Sequence, residues 1–438
     1  MGGDRIVRPE GELPVFQLWS ILPFLLMLLC IAIVPLKFPK WWDKNTNKLL
    51  MSFTMSVPIL VILIHDGIHL LVQSLVDYCS FIVLLGALFV ISGGIYINGE
   101  FAGTPLSNTA FLAIGAVLSN LIGTTGASML LIRPYLRANR NRRDRAHLAV
   151  FFIFVVSNIG GLLTPLGDPP LFLGFLRGIP FQWTLNLLPI WATTLGMVLL
   201  VFNLYDQYIF FREDVETPGA LAEEVQPRRR LHIQGKRNLL YLLGVMLAAI
   251  LSGSFSWPRG IAEGLMISMA VLSWFSTSRK VHEENHFHFH PILEVAAIFA
   301  GIFVTMIPAL EILRMRSADL GIQSPWQYFW MSGALSSFLD NAPTYLTFTS
   351  MALGLVGSNT GSLSTLLHSG LGVSLLRAVS VGSVFMGANS YIGNGPNFMV
   401  KSIAEHHGVK MPSFGGYLLY SGAVLIPIFL LVTLIFFR

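Results

Sequence analysis

Long apolar segments without any charged side chain constrain this chain more than any other feature of its sequence. Residues 18–36 contain no charged residue, and residues 148–167 contain none either. A segment of about 17 to 25 apolar residues is long enough to cross a bilayer as a helix. Further apolar segments begin near residues 49, 80, 187, 239, 260, 291, 372 and 415. Because the alternation typical of a membrane barrel is absent, we predict an all-α polytopic membrane protein.

The composition supports this class. Of the 438 residues, 54% are hydrophobic and 12% are charged, whereas soluble domains carry about 25% charged residues. Cys30 and Cys79 form neither a disulfide framework nor a metal motif. We interpret residues 1–17 as a polar N-terminal segment and the first apolar segment as a retained span rather than a signal peptide. Membrane lipids are the predicted partners, and nucleic acid is not.

Basic residues concentrate in alternate loops. Most of the 28 Lys and Arg residues lie in segments 37–48, 133–147, 212–237, 278–290 and 401–414. The positive-inside rule places such loops in the cytoplasm. We therefore expect an integral protein of the bacterial inner, or plasma, membrane with these loops on the cytoplasmic side.

Two apolar segments contain too many Gly, Pro, Asn and Asp residues to be simple spans. For the basic loops to share one side, segments 108–132 and 326–354 must each enter and leave the membrane on the same side. We predict that both are re-entrant hairpins, which the membrane tolerates where they are buried in protein or line a wet cavity.

Each half of the chain then holds five spans and one hairpin, so the halves have opposite orientations. The predicted first repeat covers residues 18–211, a cytoplasmic linker covers 212–237, and the second repeat covers 238–438. "GAVLSNLIGTTG" in the first repeat aligns with "GALSSFLDNAPT" in the second. Broken helices are predicted at 148–176 and 372–400. Inverted repeats with broken helices are typical of secondary transporters, whose substrates bind near the midplane.

Four stretches place polar groups and helix breakers at membrane depth. They are "SNLIGTTGAS" from Ser119, "SNIGGLLTPLGDPP" from Ser157, "SSFLDNAPTYLT" from Ser336 and "GANSYIGNGPN" from Gly387. Gly and Pro interrupt helices and leave backbone groups unpaired. In hydrocarbon each unpaired group costs several kcal/mol. A bound ion, substrate, water or side chain must therefore satisfy them.

Asp168 and Asp340 lie within two of these stretches. A carboxylate inside a span usually lines a transport path. An ionised carboxylate can bind Na⁺ and a neutral one holds a proton, so competition between the two ions is enough for cation/proton exchange. Each Asp could also cap the helix that follows it, since Asp is a favoured N-cap residue. The two roles are compatible.

At these stretches the sequence resembles the ion transporter superfamily, which includes divalent-anion/sodium symporters, citrate transporters, arsenite permeases and NhaD-type sodium/proton antiporters. "GGLLTPLGDPP" is similar to the broken helix of the first repeat, and "SSFLDNAPT" is similar to the second hairpin. The resemblance extends from about residue 80 to 437. It implies a scaffold domain, a transport domain, a homodimer and an elevator-type movement.

The resemblance also implies which residues bind the transported ions or substrate. With polar neighbours from the same stretches, the candidates are Ser119, Asn120, Thr124, Thr125, Asn158, Thr164, Asp168, Asp340, Asn341, Thr344, Asn389, Ser390 and Asn394. The expected Na⁺ ligands among them are Asn120, Asp168, Asp340, Asn341 and Asn389.

The second hairpin departs from the sodium–dicarboxylate members, which usually carry Ser-Asn-Thr in both hairpins. Asp340-Asn341-Ala342 stands there instead. An acidic hairpin tip repels a carboxylate and attracts a cation. This favours a sodium:proton antiporter, with Na⁺ and H⁺ as coupling ions and no other cofactor. A sodium- or proton-coupled citrate or dicarboxylate transporter and an arsenite or other oxyanion permease remain alternatives, each with a small anionic substrate.

The stretch "HEENHFHFH", from His282 to His290, contains the H-E-x-x-H pattern of zinc proteases. That pattern binds zinc only on a helix that presents both histidines on one face. This stretch follows Arg279 and Lys280, and the alternation of "FHFH" does not continue a helix. We predict a plain cytoplasmic linker and no enzymatic activity. Weak metal binding or pH sensing is the alternative role for His282, His286, His288 and His290.

Overall fold

The computed structural model describes residues 16–100, 102–216, 229–255, 257–258, 260–285, 287–357 and 361–438. Most of these residues are helical. The helices are α1 Leu22–Lys37, α2 Pro39–Trp42, α3 Asn45–Asp66, α4 Ile68–Gly93, α5 Pro105–Ala138, α6 Ala146–Val155, α7 Pro169–Leu176, α8 Leu188–Glu216, α9 Arg237–Phe255, α10 Ile261–Ser276, α11 Arg279–Glu284, α12 His290–Met315, α13 Pro325–Ser336, α14 Asn341–Leu355, α15 Gly370–Met386, α16 Gly395–His406 and α17 Phe414–Phe436.

In the described part of the chain, nine helical segments are long and apolar enough to cross a membrane. Helices α9 and α10 are apolar but shorter. Many large apolar side chains lie on the outer surface, among them Phe53, Leu240 and Phe275. In water such a surface would be a large exposed hydrophobic patch. The prediction of a helical, multi-pass membrane protein is therefore confirmed.

A small ribbon of two antiparallel strands, which was not predicted, accompanies the helices. Strand β1, Tyr96–Glu100, follows α4, and strand β2, Arg229–Gln234, pairs with it. Strand β2 lies in the predicted linker 212–237, and α8 extends to Glu216 beyond the predicted end of the first repeat. The pairing satisfies backbone groups of two connecting segments, which a pattern of apolar spans does not reveal.

Helix α5 folds back on itself at Gly123. The rings of Phe111 and Tyr135 stack with their centroids 5.3 Å apart, and the amides of Asn108 and Asn139 exchange hydrogen bonds of 2.8 and 2.9 Å. A straight helix would separate the two asparagines by about 46 Å. Gly123 has φ 76° and ψ 155°, a conformation that is accessible essentially to glycine alone. The segment is a helical hairpin with longer arms than the predicted 108–132.

Helices α13 and α14 form a second hairpin, at the predicted position. The rings of Tyr328 and Phe348 meet with centroids 6.3 Å apart, so the two arms are antiparallel. The turn between Ser336 and Asn341 contains Asp340. This carboxylate accepts a hydrogen bond from the backbone N–H of Ala342 at 3.1 Å, which caps α14.

Two helices are interrupted in the same way. After α6 the chain forms a short 3₁₀ turn, Ile159–Leu163, before α7 begins, and after α15 a 3₁₀ turn, Gly387–Asn389, precedes α16. In each break two glycines touch through their backbones: Gly161 with Gly167, and Gly387 with Gly393. A side chain at Gly167 or Gly393 would collide with the opposing carbonyl. The second broken helix ends at His406, beyond the predicted range 372–400.

The helices pack as two groups. The frame group consists of α1, α3, α4, α9, α10 and α12, in which α12 packs against α3 and α4, and α10 packs against α4 and α9. The site group consists of α5 to α8 and α13 to α17, and it holds both hairpins and both breaks. Helices α4 and α12 of the frame group contact α5 and α14 of the site group.

Candidate functional site

The Asp168 carboxylate lies where both hairpins and both breaks meet. It is 2% exposed. Its Oδ1 accepts hydrogen bonds from the Thr124 hydroxyl at 2.9 Å and the Asn394 amide at 3.2 Å. Its Oδ2 accepts one from the Asn341 amide at 2.7 Å. The donors come from the first hairpin, the second break and the second hairpin, so this one carboxylate joins both halves of the chain.

Asparagine side chains connect the two breaks directly. Asn158 donates to Asn397 Oδ1 at 2.7 Å, and Asn394 donates to the Ser157 carbonyl at 3.1 Å. Asn397 in turn donates to the carbonyl oxygens of Gly387 and Ser390, at 2.8 and 2.9 Å. These bonds satisfy backbone groups that the second break leaves unpaired. Asn397 was not among the predicted site residues, although it ends the stretch "GANSYIGNGPN".

Four helix N-termini converge on this point. Asp168 precedes α7, Asn394 precedes α16, Asp340 precedes α14, and Thr124 begins the second arm of α5. Helix N-termini carry partial positive charge and unpaired N–H groups. Asp340 caps its helix, as one of the two predicted roles required, whereas the side chain of Asp168 makes no such capping bond. The Asp168 carboxylate is instead held by side-chain donors.

Each half also has a hairpin–break cluster, which lies where the hairpin of that half meets its own break. Ser119 donates to the Val156 carbonyl at 2.7 Å, and Ser336 donates to the Ser383 carbonyl at 2.6 Å. Thr164 donates to the Asn120 carbonyl, and Ser390 donates to the Ser337 carbonyl. The matching contacts make Ser336 the counterpart of Ser119. The alignment of the two sequences instead pairs Ser119 with Ser337, one residue later.

The expected Na⁺ ligands do not form one set in this structure. Asp168 and Asn341 are in contact, and the charge of Asp340 acts on Asp168. The amide of Asn120 instead accepts from the Leu163 N–H at 2.7 Å, and that of Asn389 donates to the Ser337 hydroxyl at 2.9 Å. Asn120 and Asn389 therefore belong to the two hairpin–break clusters, one in each half.

A cavity of about 700 Å³ leads to the Asp168 cluster. Its inner end is lined by Thr124, Thr125, Asp340 and Asn394, while Asp168 lies behind these residues. Its other end is lined by residues of the basic loops and their neighbours: Lys40, Asp43, Lys48, His288 and Glu294. Because Lys40, Asp43 and His288 are exposed, the cavity opens at the end of the molecule that carries these residues of the basic loops.

Thr344 is not among the residues that line the cavity. Its hydroxyl donates to the Asp340 carbonyl at 3.1 Å, one turn earlier in the same helix, and the residue is 1% exposed. Such a bond back to the preceding turn is common for Thr in helices. The structure thus uses Thr344 within α14, whereas Thr125 lines the cavity.

The described histidines of "HEENHFHFH" do not form one cluster, although the rings of His288 and His290 lie with their centroids 6.4 Å apart. The His282 ring lies between Trp274 and Phe287, with centroids 4.8 and 5.3 Å away, and burial lowers the pKa of His282. His290 Nε2 lies 3.0 Å from the Asp43 carbonyl oxygen. Helix α11 ends at Glu284, and His286 is outside the described residues. Among the described residues no three His, Cys, Asp or Glu side chains are placed to hold a metal ion.

A buried ionic cluster at the base of the first hairpin was not predicted. Arg142 pairs with Asp206 at 2.9 Å and with Glu213 at 2.7 Å, and His147 lies 2.9 Å from Asp206. Asn108 donates to Asp206 at 3.0 Å. Two acidic residues near the end of an apolar helix were the available signal. The cluster joins α8 to the base of α5 and thereby fixes the hairpin within the site group.

Comparison with known proteins identifies the family. No curated protein matches the chain. The model of one family, described as "Putative citrate transport", matches residues 13–437. This range includes both hairpins, both breaks and all residues of the Asp168 cluster. The chain therefore belongs to this citrate transport family, and it is a member of the group of secondary transporters that its polar stretches resemble.

Proposed function

We propose that the chain exchanges sodium for protons, with Asp340 and Asp168 as the groups that bind the two ions in turn. The position of Asp340 carries this proposal. It lines the inner end of the cavity, and it immediately precedes Asn341, whose amide donates to Asp168 behind it. Lys40, Lys48 and Arg133 are the Lys and Arg residues that line the cavity in the described part of the chain. All three belong to the basic-loop end by sequence, so a cation at the inner end meets carboxylates.

Asp168 supplies a second negative charge in a dry environment. Its three hydrogen bonds come from neutral donors, which favour an ionised carboxylate but do not neutralise it. A buried charge without a counter-ion is costly. A sodium ion beside Asp340, or a proton on either carboxyl group, would remove that cost. Because one ion makes the other unnecessary, the two ions compete, and this competition couples their movements.

The two helix groups support an elevator-type movement. The site group carries every member of the Asp168 cluster, so these contacts can remain intact while the group moves against the frame group. Matching hydrogen bonds in the two halves support an inverted repeat. In this proposal the basic loops face the cytoplasm, the cavity opens inward, and the frame group forms a homodimer.

Cation-coupled transport of citrate is the second candidate function. The family is described as "Putative citrate transport", and the four helix N-termini at the end of the cavity would suit an anionic substrate, since such termini attract anions. In this case sodium or protons at Asp340 and Asp168 would offset the repulsion between the protein and a carboxylate substrate.

The test is ion exchange in proteoliposomes that contain a pH-sensitive dye. We expect an imposed pH gradient to collapse on addition of Na⁺ in the wild-type protein, and to persist in Asp340→Asn. Asp319→Asn is the matched control, because Asp319 lies exposed in a turn outside the cavity, and it should exchange ions like the wild type.

The same vesicles separate the two candidates. Citrate uptake that needs a sodium or proton gradient, without sodium-driven proton flux in the absence of citrate, would establish the second candidate. Exchange by Asp340→Asn at the wild-type rate would disprove the role of Asp340 in both.

A further inference from the structure

Four charged side chains meet between the frame group and the site group. Arg177, which follows α7 of the site group, lies with its Nε 3.8 Å from Asp77 Oδ2 on α4. On α12, Glu311 pairs with Arg314 at 2.6 Å, and the charge of Glu311 also acts on Arg177. These side chains are between 8% and 18% exposed. The two arginines and two carboxylates balance in charge, which suits a shielded position.

This cluster lies at the end of the molecule opposite the mouth of the cavity. The cavity is lined by Leu85, Leu88 and Phe89 in the second half of α4, whereas Asp77 lies in its first half. Helix α12 begins at the cavity mouth with residues such as Glu294 and ends near Glu311. The frame and site groups are thus separated by a cavity at one end and joined by ion pairs at the other.

Helix α7 connects this cluster to the Asp168 site. The helix has eight residues, so it is about 12 Å long; Asp168 immediately precedes it and Arg177 immediately follows it. The Arg177 carbonyl accepts a hydrogen bond from the Leu363 N–H at 2.8 Å. Gly178, with φ 99°, ends the helix. Arg177 is therefore fixed to the site group and must move with Asp168.

We propose that Arg177 is a latch between the two groups. Its ion pair with Asp77, together with the nearby charge of Glu311, holds the site group where the cavity is open at the basic-loop end and closed at the opposite end. Movement of the site group toward the opposite end carries α7 along α4 and separates Arg177 from Asp77. The latch therefore sets the fraction of protein molecules whose cavity is open at the basic-loop end. It rests on the movement that the proposed function invokes, but not on the identity of the ion.

The test measures how fast a reporter thiol in the cavity reacts. Met129 lines the cavity, so Met129→Cys is introduced after Cys30 and Cys79 are replaced by serine. An impermeant maleimide is applied to sealed vesicles whose basic-loop side faces outward. We expect Asp77→Asn to slow labelling about five- to tenfold, as suits the loss of a partly buried ion pair.

Controls separate a latch from a folding defect. Arg177→Gln should slow labelling like Asp77→Asn, and the exchange of charges in Asp77→Arg with Arg177→Asp should restore the rate. Asp319→Asn should leave the rate unchanged. Labelling at the wild-type rate in both single variants, or no recovery in the exchanged pair, would overturn the latch.

The ion exchange assay on the same variants keeps the two proposals apart. If sodium-driven exchange occurs but labelling does not respond to Asp77→Asn, the latch is wrong and the proposed function stands. If labelling responds as expected but no sodium exchange occurs, the latch stands and the proposed ion is wrong.

Discussion

Replacement of Asp168 by asparagine changes one atom of the site and tests the hydrogen bonds on which it depends. The carboxylate offers two acceptor oxygens to three donors. Asparagine retains one oxygen and adds an NH₂ group. If that group lies at the position of Oδ1, it faces the amide of Asn394; if it lies at Oδ2, it faces the amide of Asn341. Thr124 can adapt, because a hydroxyl both donates and accepts.

The expected cost follows from these contacts. One amide donor is left without an acceptor in a buried position, which costs about 1–3 kcal/mol. The remaining bonds lose the strengthening that a charged acceptor provides, which is about 1 kcal/mol for each bond. Asparagine also removes a buried charge that has no counter-ion, which offsets part of these losses. We therefore expect Asp168→Asn to weaken the assembled site by about 1–3 kcal/mol, since the separate effects add only in part. Each 1.4 kcal/mol is a tenfold change in an equilibrium constant.

Two measurements check this expectation. In detergent, the apparent melting temperature of Asp168→Asn should fall below that of the wild type. In proteoliposomes, sodium-driven proton flux should be lost. Thr124→Ser is the matched control, since it keeps the hydroxyl donor and should retain both properties, whereas Thr124→Val removes the donor and should lower both.

If Asp168→Asn melts at the wild-type temperature and exchanges ions at the wild-type rate, the three hydrogen bonds do not hold the site together. If it melts normally but does not exchange ions, Asp168 acts through its charge alone.

Three further predictions follow from the local structure. Gly123→Ala should lower the melting temperature, because φ 76° strains any side chain by about 1–3 kcal/mol; Gly196→Ala, which has open space around it, is the control and should not lower it. Arg142→Gln should destabilise the protein by about 3–5 kcal/mol, because it removes the guanidinium that two buried carboxylates share. Arg212→Gln, at a surface pair, should cost under about 1 kcal/mol. Burial lowers the pKa of His282. The contribution of this residue to stability is therefore present above the unfolded pKa of about 6.5 and falls as the pH drops below that value. His282→Phe should reduce this loss of stability in melting curves taken between pH 5 and about 7.

The spans and hairpins could be predicted from local sequence because hydrocarbon imposes a strict rule on each segment. An apolar helix that satisfies its own backbone needs no knowledge of its neighbours. Gly, Pro, Asn and Asp mark where that rule is broken, which is why the stretches around Asp168 and Asp340 predicted residues that the structure brings together. The ribbon of β1 and β2 escaped prediction, since its bonds join segments more than a hundred residues apart.

The partners within the site could not be predicted in the same way. Asn120 and Asn341 each lie within three residues of a hairpin turn, yet Asn120 bonds the backbone of its own half while Asn341 bonds Asp168. Similarly, the one-residue shift that pairs Ser336 with Ser119 depends on which carbonyl each hydroxyl reaches. The turn of each hairpin determines that reach, and the second turn is longer than the single residue Gly123.

The amino-acid sequence alone indicated that this chain lies in a membrane, that its helices are interrupted at four polar stretches, and that Asp168 and Asp340 lie within these stretches. These properties are local, because apolar length, helix breakers and buried charge act on a few neighbouring residues. The tertiary structure was needed to show that Asp168 is held by donors from both halves, that the cavity reaches Asp340, and that Arg177 of the site group pairs with Asp77 of the frame group. Such contacts depend on how segments that are far apart in the chain pack together, and a local sequence pattern does not specify that packing.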